Sequence, residues 1–225
     1  ESQHLFFEEL YVYKLSKSEV ILKLEAQGIS DPVFFAKGKR GYIFTGSYQS
    51  KKIAIKMKNP DSQAVLSIQK EVSTLEKINK VGIGPKLLVE NDHFLAYRFV
   101  DGIFFPEFIE RKKKSEIAKV IKDIFTQLFI LDGMKLSKEE MSHPPKHILI
   151  TKKNKPVLID FERAHYTNKP ANVTQFCDYI SSEFISSILS KKKITIKKNE
   201  LISAARDYKK TQTSENFKRI IGLIK

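Results

Sequence analysis

A single cysteine, Cys177, stands among 225 residues. No internal disulfide can form and no cysteine cluster can hold zinc, which fits a reducing, cytoplasmic setting. Long apolar runs are also missing. The most hydrophobic window, residues 94–109, is interrupted by Arg98, Asp101 and Pro106, so no membrane-spanning helix is expected. No signal-peptide pattern opens the chain, which starts at Glu1 rather than Met, as a trimmed sequence would. Acids are scarce beside bases, 26 against 40, for a net charge of +14. The basic runs at 111–114, 191–193, 197–198 and 209–210 are scattered and mostly lysine. They lack the interleaved aromatics of a platform for single-stranded nucleic acid. Two readings stay open: a lysine-rich solvated surface, or an attraction to polyanions such as RNA, ribosomes or acidic proteins.

What is present is ordinary globular material, 41% hydrophobic and 29% charged, enough to bury a core in one large domain or two small lobes. Residues 1–30 read as an N-terminal helical extension, a packing brace or the stub of a helix-turn-helix. Within it Ser16-Lys17-Ser18-Glu19 has capping-box form and Gly28 can end the helix. From Asp31 the texture is β. Val33–Ala36, Tyr42–Thr45 and Lys52–Met57 read as strands joined by turns at 38–41 and 46–50. Asn59-Pro60 caps a long helix whose apolar stripe is Val65, Ile68, Val72, Leu75 and Ile78. A hairpin, Leu87–Val89 and Phe94–Phe99, turns at Asn91-Asp92. Beyond Asp101-Gly102 the pattern is helical over 113–131, and Ser137-Lys138-Glu139-Glu140 predicts another capped helix start. Two apolar runs, Ile148-Leu149-Ile150 and Leu158-Ile159, flank the polar turn 152–155 as a second hairpin, with helices from about Val173 onward. The class is α+β: a β-rich lobe over 31–102, then a helical lobe over 103–225.

Three charged residues carry the chemistry. On the third strand Ile53, Ile55 and Met57 face one way and Ala54 and Lys56 the other. Glu71 lies on the inward stripe of the following helix, where an acid needs a cation to be tolerated; Glu76 lies off it. Asp160 leaves the buried end of the second hairpin, placed either to start a helix or to ligate a metal. Phosphoryl transfer from ATP needs a cation on the α/β-phosphates, an acid to orient it, and a carboxylate for the divalent ion. Gly38-Lys39-Arg40-Gly41 is a plain turn or a flap whose N–H groups cover phosphates.

With these residues the chain resembles the bilobal protein-kinase-like fold over about residues 31–190. Ala54-Ile55-Lys56 matches the Val-Ala-Ile-Lys motif, Glu71 the helix-C glutamate, and Asp160-Phe161-Glu162 the Asp-Phe-Gly motif. It looks most similar to the small atypical RIO and KEOPS-type kinases, and above all to an archaeal group of predicted Ser/Thr kinases with Lys-His-Ile-Leu and Ile-Asp-Phe-Glu-Arg. Residues 168–176 also look like that group. Lipopolysaccharide-core kinases similarly place a histidine where most kinases have the metal-binding asparagine.

The resemblance implies ATP with Mg²⁺ or Mn²⁺, a protein or small-molecule acceptor, and named roles. Lys56 holds the α/β-phosphates, Glu71 positions it, and Asp160 with His147 binds the metal. Lys146 neutralises the γ-phosphate or is simply solvated, and His147 is otherwise a hairpin histidine with a backbone partner. Ala54 roofs the adenine, Leu149 and Ile159 floor it, and the 99–103 connector hydrogen-bonds the base.

The sequence also departs from the pattern. The catalytic aspartate slot falls on Ser142, leaving Glu139, Glu140 or Glu162 as substitutes, although the first two read more simply as first-turn helix acids. Glu162 replaces the last motif glycine and restricts the backbone. The stretch from Arg163 to Val173 implies a reduced activation segment without a peptide platform. Asp178 braces the catalytic loop or sits on the surface. The implied function is an atypical Ser/Thr kinase. Its rivals are a nucleotide-binding pseudokinase, an RNA- or ribosome-associated adaptor, and a small-molecule or lipid-sugar kinase.

Overall fold

The computed structural model describes residues 17–37, 41–58 and 67–225. The chain divides into two units, Glu1–Val100 and Asp101–Lys225. The Gly38-Lys39-Arg40 turn, the Asn59-Pro60 cap, Val65 and the first sixteen residues lie outside the described residues.

Among the described residues the first unit opens with α1 (Lys17–Glu25), which ends ahead of Gly28 in a left-handed conformation. Then come β1 (Ile29–Lys37), β2 (Gly41–Tyr48), β3 (Lys51–Lys58), α2 (Ser67–Asn79), β4 (Leu87–Glu90) and β5 (Phe94–Arg98). All five strands form one antiparallel sheet in the order β1-β2-β3-β5-β4. β1 starts at Ile29, earlier than expected, because a bulge between Ser30 and Val33 absorbs Pro32 and the left-handed Asp31. The turn after β2 is tighter than the expected 46–50 link. Only Gln49 and Ser50 lie outside the pairing, both with positive φ, as a two-residue hairpin favours. The alternation read for β3 fits its packing. Ile53, Ile55 and Met57 join Leu24, Ile29, Phe44 and Phe94 in one buried cluster. The described part of α2 buries Ile68, Val72, Leu75 and Ile78. Each fully enclosed aliphatic side chain contributes about 1.5–3 kcal/mol. Asn79 closes the helix end. Its amide donates to the Ile83 and Pro85 carbonyls, and its oxygen accepts from Leu87 N–H.

The second unit opens with β6 (Gly102–Phe104), part of the expected connector, which pairs with β8 (Ile148–Thr151). β8 pairs in turn with β9 (Pro156–Leu158), giving the hairpin expected from sequence. Helix α3 (Phe105–Arg111) follows β6, and α4 (Lys114–Gly133) is the long helix at the centre of this unit. Ile117, Val120, Ile121, Ile124, Phe125, Leu128 and Leu131 of α4 are enclosed. Beyond the hairpin lie α5 (Asn172–Ile180), α6 (Glu183–Lys191), α7 (Lys198–Lys210) and α8 (Ser214–Gly222). Cys177 is buried on α5, and desolvation pushes its thiol well above the ordinary range. Among the described residues no helix is long and apolar enough to cross a membrane.

Gly102 sits where no other residue fits. A Cβ there would lie 2.6 Å from the Ile150 carbonyl oxygen, a backbone atom fixed by the β6–β8 ladder. Gly102→Ala is expected to destabilise the second unit by about 1–3 kcal/mol through forced strand separation. A denaturant titration of the variant beside wild type measures it.

The expected capped helix at Ser137–Glu140 is absent. Leu136-Ser137 is a short strand, β7, paired with β10 (His165–Tyr166). Glu139 and Glu140 both adopt positive φ, which no helical first turn permits. Tertiary bonds override the local pattern here. The Lys138 N–H is taken by Asn172 Oδ1 at 2.8 Å.

Candidate active site

Lys56 and Glu71 meet in the first unit. β3 holds Lys56 on the face opposite Ile53 and Ile55, and α2 carries Glu71 on the same stripe as Ile68 and Leu75. The Lys56 ammonium donates to Glu71 Oε2 at 2.6 Å, with the side chains 13% and 3% exposed. A carboxylate so enclosed is tolerable only beside a cation. Glu76 is exposed, as its place off the stripe requires. Ala54 is buried on the Lys56 face of β3, and Gly41 begins β2 opposite Lys58.

The remaining sequence-derived residues belong to the second unit. Asp160 follows β9 with φ of +61°, and its side chain is exposed. That backbone rules out the helix-start alternative, since a cap residue is extended and the next helix begins only at Asn172. A non-glycine residue held left-handed stores strain of about 1 kcal/mol or more, which the surroundings must offset. A carboxylate oxygen of Asp160 and one of the buried Glu162 lie within 4.8 Å of each other. Such a pair repels unless a cation shares it, and its hard oxygens suit Mg²⁺ or Mn²⁺.

His147 sits at the start of the hairpin. Its carbonyl accepts from Ile159 N–H at 3.0 Å, and its Nε2 lies 3.4 Å from Glu140 Oε2. Nδ1 is enclosed with no hydrogen-bond partner among the described residues. Burial, then the nearby Lys138 charge, pull the imidazole below its ordinary value, so it is neutral near pH 7. Ser142 and Lys146 are exposed on the preceding turns, while Leu149 and Ile159 are half-buried.

Glu139 and Glu140 are not helix acids. Glu140 binds Arg163 at 2.6 Å, and Glu139 lies 3.2 Å from His165 Nδ1. Asp178 is exposed on α5 and so is the surface acid of the two alternatives. The segment Leu136–Met141 is braced instead by Asp132, at the end of α4, together with Asn172 and Gln175. Asp132 Oδ1 accepts from the backbone and side-chain amides of Asn172, and Oδ2 from Val173 N–H and Tyr208 Oη–H. Asn172 donates on to the Leu136 carbonyl, and Gln175 Oε1 accepts from Met141 N–H.

Sequence reading missed both Asp132 and Lys138. Lys138 is 2% exposed, and its ammonium donates to the Asp160 carbonyl at 3.0 Å. The available signal for Lys138 was weak: a lone lysine between two residues that mimic a cap.

No family model matches the sequence, and no curated protein matches it. Among solved structures, a crystal structure of a kinase domain superposes with a TM-score of 0.51 at 19% identity. The match covers 63% of this chain and 52% of that one, so the chain spans about half the length of the kinase domain it resembles. The likeness establishes a protein-kinase-like α+β fold.

Proposed function

We propose that this chain is an ATP-dependent phosphotransferase, an atypical serine/threonine kinase of the small RIO-like kind that works without the usual catalytic aspartate. The observation that carries the reading is the enclosed Lys56–Glu71 ion pair on strand and helix of a kinase-like fold. In this reading residues 31–102 form the N-lobe and 103–225 the C-lobe, with residues 1–30 as an appended segment. Lys56 holds the α/β-phosphates, and Glu71 fixes its ammonium against thermal wandering. Asp160, with Glu162 close by, offers hard carboxylate oxygens to Mg²⁺ or Mn²⁺. When bound, that ion neutralises phosphate charge. His147 joins the ligand set by turning Nε2 away from Glu140, and an imidazole donor favours Mn²⁺. Lys146 is free to reach the γ-phosphate. Ala54, Leu149 and Ile159 supply the apolar surfaces for adenine.

The pair also dictates how the reading is tested. Lys56→Met alone takes the cation from beside a carboxylate that is 3% exposed, and breaking a buried pair costs about 3–5 kcal/mol. Lys56→Met combined with Glu71→Gln removes both charges and is expected to melt near wild type. Binding of ATP, followed as ligand-induced thermal stabilisation, is expected to vanish in the double variant. Retention of full stabilisation there would make the pair structural and sink the proposal.

The second reading, a nucleotide-binding pseudokinase, is favoured by Ser142 in the aspartate slot and by the engagement of Glu139 and Glu140 with His165 and Arg163. Labelled ATP with Mg²⁺ or Mn²⁺ and a panel of acceptors separates the two. Stabilisation without phosphate transfer selects the pseudokinase.

A further inference from the structure

Lysine is almost never fully enclosed, because its ammonium loses hydration that must be replaced by partners. Lys138 is enclosed, and both ends of the residue are fixed. Its backbone N–H donates to Asn172 Oδ1 at 2.8 Å, within the hydrogen-bond network of Asp132. Its ammonium donates to the Asp160 carbonyl at 3.0 Å and lies 5.0 Å from the centre of the Phe161 ring, within cation–π range. Its charge is close enough to depress the His147 imidazole. Asp160 is the residue that needs such a hold. It keeps φ at +61° without being glycine, and none of the regular secondary structure includes it.

We infer that Lys138 is a positioning residue that clamps Asp160 in its left-handed conformation and thereby aims the Asp160 carboxylate. This rests on the proposed phosphotransferase reading for its catalytic consequence, though the clamp itself does not. Lys138 reaches Asp160 through the backbone carbonyl. The Phe161 ring, enclosed beside the ammonium, anchors the next residue of the same segment.

The test uses Lys138→Met, which keeps the apolar stem and removes the charge. Removing the ammonium leaves the Asp160 carbonyl without this donor, and losing one partner of a buried polar contact destabilises. The variant is therefore expected to melt below wild type. Amide exchange at Ala164, whose N–H bonds to the Phe161 carbonyl, is expected to quicken at least about tenfold as the segment loosens. Phosphate transfer is expected to fall about tenfold or more in kcat with KM for ATP little changed.

A fall in melting temperature with unchanged exchange at Ala164 would make Lys138 merely structural and overturn the inference. A double-mutant cycle keeps the test decisive if Lys138→Met folds poorly. Glycine adopts positive φ freely, so in an Asp160→Gly background the Lys138→Arg exchange effect is expected to shrink severalfold against its effect in wild type. An undiminished effect in that background places the action of Lys138 elsewhere and also overturns the inference. If wild type transfers no phosphate, the function fails while the exchange data still decide the clamp.

Discussion

In the Asp160→Asn protein, metal-dependent phosphate transfer from ATP is expected to fall roughly a thousandfold, about 4 kcal/mol in barrier. The melting temperature is expected to stay within a degree or two of wild type. Asparagine is the informative substitution because it tolerates the left-handed region nearly as well as aspartate, whereas alanine adds strain there. It keeps side-chain volume and the backbone carbonyl that Lys138 holds, and it removes only the charge. The side chain is exposed. Single-turnover measurements with Mg²⁺ and with Mn²⁺ check the result. A variant that retains wild-type transfer would show that the carboxylate is not the metal ligand.

Asp132→Ala is expected to lower stability by about 3–5 kcal/mol, a large share of the 5–15 kcal/mol typical of a domain. Asp132 is 1% exposed and accepts four hydrogen bonds, and its removal leaves the Asn172, Val173 and Tyr208 donors without their acceptor. Asp132→Asn is also expected to destabilise, because an amide nitrogen facing Val173 N–H and the Tyr208 hydroxyl sets donor against donor.

The pH dependence distinguishes the charge from the shape. Burial lifts Asp132 above the ordinary carboxylate value of 3.8, against the pull of its four donors. The folded protein therefore holds this proton more tightly than the unfolded chain does. Its contribution to stability is greatest below the ordinary value and declines as pH rises through the raised one. The asparagine variant lacks this titration. The stability gap between wild type and Asp132→Asn is expected to narrow from about pH 4 toward neutrality. Paired thermal melts across that range measure it, and a gap that widens with pH would mean the carboxylate is stabilised, not strained, by its surroundings.

These residues also show what a linear reading can and cannot reach. The Lys56–Glu71 pair was legible because Glu71 interrupts the apolar stripe of its helix, while alternation sets Lys56 on the strand face opposite Ile53 and Ile55. A charge on such a stripe demands a partner, and the chain offered one nearby. The second hairpin was legible from two apolar runs around a lysine-rich turn. The Ser137–Glu140 segment misled because its side-chain pattern is locally that of a helix start. The bonds that decide its shape reach to Asn172, Asp160 and Gln175, and local pattern carries no record of such distant partners. Asp132 stayed hidden for the same reason: an acid at the end of a helix is ordinarily solvated, and only the packing of α5 and α7 shows that it is enclosed. β6 was obscured because three residues with one glycine fall below any useful period.

The rim of the five-stranded sheet bears on how molecules of this protein meet one another. β1 forms one margin of that sheet and exposes Val33 and Phe35, an apolar ribbon that invites a neighbouring chain to zip alongside. Pro32 has no amide proton to offer, and the bulge beside it breaks the straight run that such zipping needs. The same irregularity that displaced the start of the strand therefore acts as a guard against fibrous self-association at high concentration.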